Sequence, residues 1–106
     1  MIQFTPLLVL ALATLAVPAT ASPSDRRFAA SEARDARQEQ RIATGIARGT
    51  INPREASRLQ ARNGRIDNFQ NRLASDGRYS RRDRARVAYR QNSASHGIYR
   101  ARHNRR

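Results

Sequence analysis

The chain spells out the same turn twice. Residues 49–55 read GTINPRE and residues 77–83 read GRYSRRD. Laid over one another, Gly49 meets Gly77, Ile51 meets Tyr79, Asn52 meets Ser80 and Glu55 meets Asp83. Each position has a mechanical reason. Glycine enters the left-handed conformation that ends a helix without steric cost. Asn and Ser are strong N-caps, whose side-chain oxygen accepts from a free backbone N–H one turn in. An acid three residues after the cap completes a capping box and sits at the positive end of the helix dipole. Pro53 takes the first helical position, where its missing N–H costs nothing. Beyond the turns, Arg58 aligns with Arg86, Leu59 with Val87 and Arg62 with Arg90. Upstream, with one residue inserted in the second copy, Ile42 meets Phe69 and Ile46 meets Leu73.

This punctuation predicts three helices. The first is expected from Ser31 to Ala47, with Ala33, Ile42, Ala43 and Ile46 as its apolar side and a polar front half. The second is expected from Pro53 to Ala74, with Leu59, Ile66 and Leu73 at i, i+7 spacing and Ala56 and Phe69 filling the stripe. Gly64 inside it costs about 1 kcal/mol relative to Ala. The third is expected from Arg81 to Arg102 on Val87, Ala94, Ile98 and Ala101, and is weakest around Ser93–Ser95 and Gly97. The fold class is therefore all-α, as a small three-helix bundle or a pair of helix-loop-helix units. Residues 31–103 form one small helical domain in this reading, after a flexible segment at 22–30 and before a basic tail at 104–106.

The first 21 residues carry no charge, and Leu7–Val17 is an unbroken apolar run between Pro6 and Pro18. A membrane span needs about 20 apolar residues, so the run is too short to cross a bilayer. Followed by Ala19-Thr20-Ala21, it reads as a signal peptide over residues 1–21. That predicts a periplasmic or secreted protein with no transmembrane span in the mature chain. There is no cysteine, so no disulfide supports what is a thin core. Low hydrophobicity and high charge leave open a chain that orders only on meeting a partner.

The glycine, apolar residue and cap of each turn resemble the second half of an EF-hand calcium loop. That family places oxygen ligands at loop positions 1, 3, 5, 9 and 12 around a glycine at 6. With Gly49 at 6, Glu55 is the sole carboxylate among them; with Gly77 at 6, only Asp76 and Asp83 are. Arginines stand inside both loops. Hard cations need several anionic oxygens to offset dehydration, so the turn reading is preferred and no metal or cofactor is expected. His96 and His103 stand two helical turns apart, about 10 Å, too far for one ion. Nucleophilic catalysis wants a Cys, or a Ser with a His and a carboxylate. Cysteine is absent and both histidines lie in the C-terminal part. Glu55 and Asp83 are read as caps, and Asp25, Glu32 and Asp35 as flanking the start of the first helix. Nothing in the spacing of Glu39, Asp67 and Asp76 favours a catalytic pair, so no catalytic residue and no enzymatic activity are expected.

What remains distinctive is charge. The chain has 21 basic and 8 acidic residues, a net charge of +13, and every basic residue is arginine. A GC-rich genome explains that choice more readily than selection does, because the arginines are spread along the chain. Arg58, Arg65 and Arg72 form one stripe, Arg34, Arg41 and Arg48 another, and Arg82, Arg86 and Arg90 a third, with Arg78 and Arg81 beside it. Such stripes often only snorkel over the edge of a core. The functional reading is a cationic surface for polyanions, using Arg58, Arg65, Arg72, Arg78, Arg82, Arg86, Arg90, Arg100 and Arg102. Export disfavours chromosomal nucleic acid, and the sparse tyrosines give little for bases to stack on.

The order RIATGIARGTINPREASRLQARNGRID…DGRYSRRDRARV…GIYRARHNRR resembles small, uncharacterised exported proteins of Gram-negative bacteria. These share a signal peptide, the capped turns, an RID in mid-helix and an IYR-x-RHN ending. The likeness covers residues 38–106 and implies a periplasmic, helical, non-catalytic protein without assigning functional residues. The expected function is binding of an anionic envelope lipid or polysaccharide, or an acidic protein, through arginine faces. The alternative is a small periplasmic chaperone-like or stress-related protein that uses its apolar helical seam.

Overall fold

A computed structural model describes residues 21–104. Apart from Ala21, the leader expected over residues 1–21 lies outside the described residues, as do Arg105 and Arg106. Three helices follow one another, α1 (Pro23–Ala47), α2 (Pro53–Leu73) and α3 (Arg81–His103), and each contacts both others. The chain is a small all-α three-helix bundle.

All three helices start the same way. Ser22, Asn52 and Ser80 are extended N-caps whose side chains accept from the backbone N–H of Asp25, Glu55 and Asp83, and each of those acids returns a bond to the cap N–H. The segment expected to be flexible over residues 22–30 is instead the first two turns of α1. Ser22-Pro23-Ser24-Asp25 is a third capping box, with proline at the first helical position, and it starts the helix well before Ser31. Gly49 and Gly77 have φ of 77° and 82°, the left-handed region that favours glycine. After each glycine one apolar residue turns inward, Ile51 at 3% exposure and Tyr79 at 1%.

Those two residues close the two ends of the core. Ile51 packs with Ile42, Ala56, Leu59, Ile98 and Ala101. Tyr79 packs with Ile66, Phe69, Val87 and Ala94, flanked by Phe28, Leu73 and Ala74. The second end is the more firmly tied. Tyr79 stands edge-on to Phe28 with ring centroids 5.4 Å apart. Its hydroxyl lies 2.9 Å from Ser31 Oγ, its carbonyl accepts from Arg27 Nε at 2.9 Å, and its N–H donates to Ser24 Oγ at 2.5 Å. Burial pushes the phenol's pKa above its ordinary value.

The face of α1 is where the structure departs from expectation. Ala33, Ala43 and Ile46 are exposed, and α1 buries Ser31, Gln38, Ile42 and Gly45. The bundle therefore carries a layer of amides, with Gln38, Asn63, Gln70 and Gln91 each at most 2% exposed. Gln38 donates to the Gln91 carbonyl at 3.0 Å, and Gln91 donates to the Ser31 carbonyl at 3.1 Å, which ties α1 to α3. Gly45 is small because Ile51 needs its space: a Cβ there would stand 2.4 Å from Ile51 Cδ1. On α2 and α3 the expected core positions are buried, except that Leu73 is only half-buried. α3 runs unbroken through Ser93–Gly97.

Candidate anion-binding groove

Burying Leu59, Ile66 and Phe69 turns Arg58, Arg62 and Arg65 of α2 towards the edge it shares with α3. From the far side α3 brings Arg100, Tyr99 and His103. Between them lies an open groove of about 650 Å³, with Leu59, Gly97 and Ala101 among its lining residues. Gly97 keeps it wide, since a Cβ there would come within 3.4 Å of Arg62 Nη1 and 3.7 Å of Leu59 Cδ2. Tyr99 and His103 stack at one end, centroids 4.0 Å apart and 27° from parallel. His103 Nδ1 is 2.8 Å from the Tyr99 carbonyl. A carbonyl only accepts, so Nδ1 carries the hydrogen.

The groove continues along the bundle. Arg62 and Arg65 also line a hollow with Ile66, Tyr89, Arg90 and Ser93, and Tyr89 and Arg90 in turn line one with Phe69, Arg82, Ala85 and Arg86. The three share walls and form one trough between α2 and α3. Its far section is organised by the buried Phe69 ring, over which stand the guanidiniums of Arg90 at 3.9 Å, Arg86 at 5.2 Å and Arg72 at 5.6 Å. The negative face of one ring is shared by three cations that would otherwise repel one another. Arg62 is held by donating to Ser93 Oγ at 2.5 Å.

Among the groove's lining residues Glu55 is the one acid, and most of the other carboxylates have structural partners. Asp25, Glu55 and Asp83 serve the helix caps, and Asp76 accepts from the Arg78 N–H at 2.9 Å. Glu32 and Glu39 accept from Gln70 and Asn63 between α1 and α2. Among the described residues no group of three or more His, Cys, Asp or Glu side chains is placed to hold a metal ion. No described helix is long and apolar enough to cross a membrane.

Of the arginines singled out from sequence, Arg58, Arg65, Arg82, Arg86, Arg90 and Arg100 line the trough, and Arg72 joins it through Phe69. Arg78 and Arg102 do not belong to it. Arg78 lies at the second turn beside Phe28 and Tyr79, and Arg102 packs towards Gly45 of α1. Sequence reasoning missed Arg62, which bridges two sections, and the rim residues Tyr89, Tyr99 and His103. The repeat held the signal for Arg62, because it aligns with Arg90. No family model, curated protein or solved structure matches the chain.

Proposed function

We propose that the trough between α2 and α3 binds the phosphate groups of an anionic envelope lipid or polysaccharide, and that the protein is an exported, non-catalytic binder. One observation supports this most. Seven arginines from two helices line one continuous trough against a single lining carboxylate, Glu55, which also serves a helix cap, while other carboxylates are engaged in caps, turns and the opposite seam. Guanidinium forks match phosphate oxygens in pairs, and their dense placement favours a ligand with several charges over a single anion. The exposed Tyr89 and Tyr99 offer amphipathic rings at the rim, suited to a headgroup boundary. The envelope source follows from the leader expected in the sequence. The chaperone-like alternative gains less, because Leu59 and Ile66 of the apolar seam are committed to the bundle's own core.

Co-sedimentation tests the reading directly. The protein is expected to pellet with phosphatidylglycerol vesicles and not with neutral phosphatidylcholine, and to be released as salt rises. Lipopolysaccharide offered as a competitor separates the two phosphate sources. Equal pelleting on both vesicle types, or indifference to salt, overturns the assignment. Tight binding to polyglutamate with none to either phosphate source points to an acidic protein instead.

A further inference from the structure

On the side of α2 away from the trough, four of the chain's eight acids line up in a donor-poor seam. Asn63 Nδ2 donates to Glu39 Oε2 at 3.1 Å, and Gln70 Nε2 donates to Glu32 Oε2 at 2.8 Å. These two rungs fix the antiparallel register of α1 against α2. Four residues back from Glu39 on α1 is Asp35, and four residues on from Asn63 on α2 is Asp67. Three more residues in the same directions reach Glu32 and Gln70. The middle rung of the ladder is therefore one aspartate opposite another.

This neighbourhood has too many acceptors. Asp35 Oδ1, Asn63 Oδ1 and Gln70 Oε1 are buried and lack a hydrogen-bond partner, as does Gln38 Oε1 on the side of α1 that meets α3. The three amides belonging to the last three atoms are at most 2% exposed. Asn63 and Gln70 have given hydrogens to the outer carboxylates and present oxygen to what remains. A buried acceptor without a donor costs about 1–3 kcal/mol, and the one donor that local chemistry can supply is a carboxylic O–H. The charges facing Asp35 are Glu32 and Glu39 on its own helix and Asp67 on α2, all of one sign. α3 meets this stretch of α1 with the neutral Gln91. Arg34, Arg37 and Arg41 of α1 line a separate hollow with Ser95 of α3.

We propose that the Asp35–Asp67 rung is a proton-binding site that locks α1 onto α2. With the proton on Asp35, the rung holds one negative charge and supplies an O–H to one acceptor of the seam. When the proton leaves to water, two carboxylates confront each other in a seam whose amide donors already serve Glu32 and Glu39, and α1 loosens. Burial first, and then the charges of Asp67, Glu39 and Glu32, raise the Asp35 carboxyl from the usual carboxylate range to about 6. A folded-state value above the unfolded one fixes the sign. The stabilisation is complete below the ordinary aspartate range and disappears as pH rises through about 6.

Thermal unfolding of the purified protein between about pH 4 and about pH 8 reads this out, with the melting temperature expected to fall on the order of 5–10 °C across the transition. Asp35→Asn, which cannot ionise, should abolish the fall and melt above wild type at the alkaline end. Asp67→Asn should move the fall to lower pH, because Asp35 then ionises more easily. A fall that persists unchanged in Asp35→Asn, or that vanishes in a His96→Gln/His103→Gln variant, overturns the proposal. Carboxyl carbon NMR on the wild-type chain gives the same answer without a variant, since an Asp35 midpoint in the ordinary aspartate range also overturns it. Calcium chloride that raises the alkaline melting temperature of wild type but not of Asp35→Asn would mean a metal ion site in place of a proton site, and would sink it equally.

Discussion

Helix α2 faces two very different neighbours. Towards α3 it shows Arg58, Arg62 and Arg65 across an open trough, and towards α1 it shows Asn63, Asp67 and Gln70 in a closed seam. In the trough donors are abundant and acceptors few. In the seam the proportion is inverted, with three buried oxygens, of Asp35, Asn63 and Gln70, lacking a donor. A net charge of +13 predicts neither arrangement, because it says nothing about where the eight acids go. The fold sorts them, some to the caps and others to the seam between α1 and α2, and so leaves the arginines of the α2–α3 edge far in excess of Glu55, the one acid lining the trough beside them. Excess charge becomes a surface property only because the opposite charge has been given structural work. That division can be broken from either side.

The largest effect is expected from adding charge to the seam. Gln70→Glu with Asn63→Asp changes almost no volume but replaces both donors with carboxylates beside Glu32 and Glu39. Burying unpaired charge of one sign should cost roughly 2–4 kcal/mol or more at neutral pH. That is a large part of the stability of so small a core. Urea titration followed by circular dichroism should show the double variant mostly unfolded at neutral pH and partly recovered in acid. A variant as stable as wild type at neutral pH would mean that the seam is open to water, and the contrast between the two sides of α2 would lose its basis.

The trough should respond in the opposite sense, through ligand and not through stability. Arg58→Gln, Arg62→Gln and Arg65→Gln together remove three cations from exposed or half-buried positions. Binding to anionic vesicles should fall by roughly 100-fold, while the three sites together shift stability by less than about 1.5 kcal/mol at up to ~0.5 kcal/mol each. Arg37→Gln, Arg48→Gln and Arg78→Gln together, all exposed and away from the trough, remove the same three charges and should leave binding close to wild type. If this matched control weakened binding as much as the trough variant did, net charge and not the trough would be the determinant.

Sequence reading recovered the repeated turns because their chemistry is local. The cap, the glycine and the capping-box acid each act within one turn of chain, so type and position alone identify them. The helices and the all-α class followed. It did not recover the face of α1, and the reason is physical. The apolar stripe expected there consists of Ala33, Ile42, Ala43 and Ile46, but of these only Ile42 is buried, and α1 packs otherwise through Ser31, Gln38 and Gly45. Whether a glutamine is core or surface depends on a partner in another helix, here the Gln91 carbonyl, and no single-helix pattern carries that information. The start of α1 was missed for a smaller reason. Ser22-Pro23-Ser24-Asp25 is as good a cap as the other two, but it lacks a preceding helix and glycine to mark it. The acid ladder was visible only in part. Glu32, Asp35 and Glu39 share the i, i+3, i+7 spacing of one face, while their opposition to Asp67 needs the α1–α2 register.

The finest test uses two glycines in helix interiors that differ only in what surrounds them. Gly64 on α2 has nothing within 4 Å of where a Cβ would stand, whereas at Gly97 on α3 that Cβ meets Arg62 Nη1 at 3.4 Å and Leu59 Cδ2 at 3.7 Å. Both changes to alanine relieve the backbone-entropy cost of a helical glycine, worth up to ~1 kcal/mol. Gly64→Ala should therefore raise the melting temperature by a few degrees and leave vesicle binding unchanged. Gly97→Ala adds its methyl inside the trough at ordinary contact distance from Arg62 and Leu59, so it should gain similar stability and, by narrowing the trough, weaken binding two- to threefold, roughly 0.5 kcal/mol. A single methyl group thus asks whether the width of the trough matters or only its charge. Equal binding by both variants would show that the ligand reads the arginines as a field and not as a shaped site.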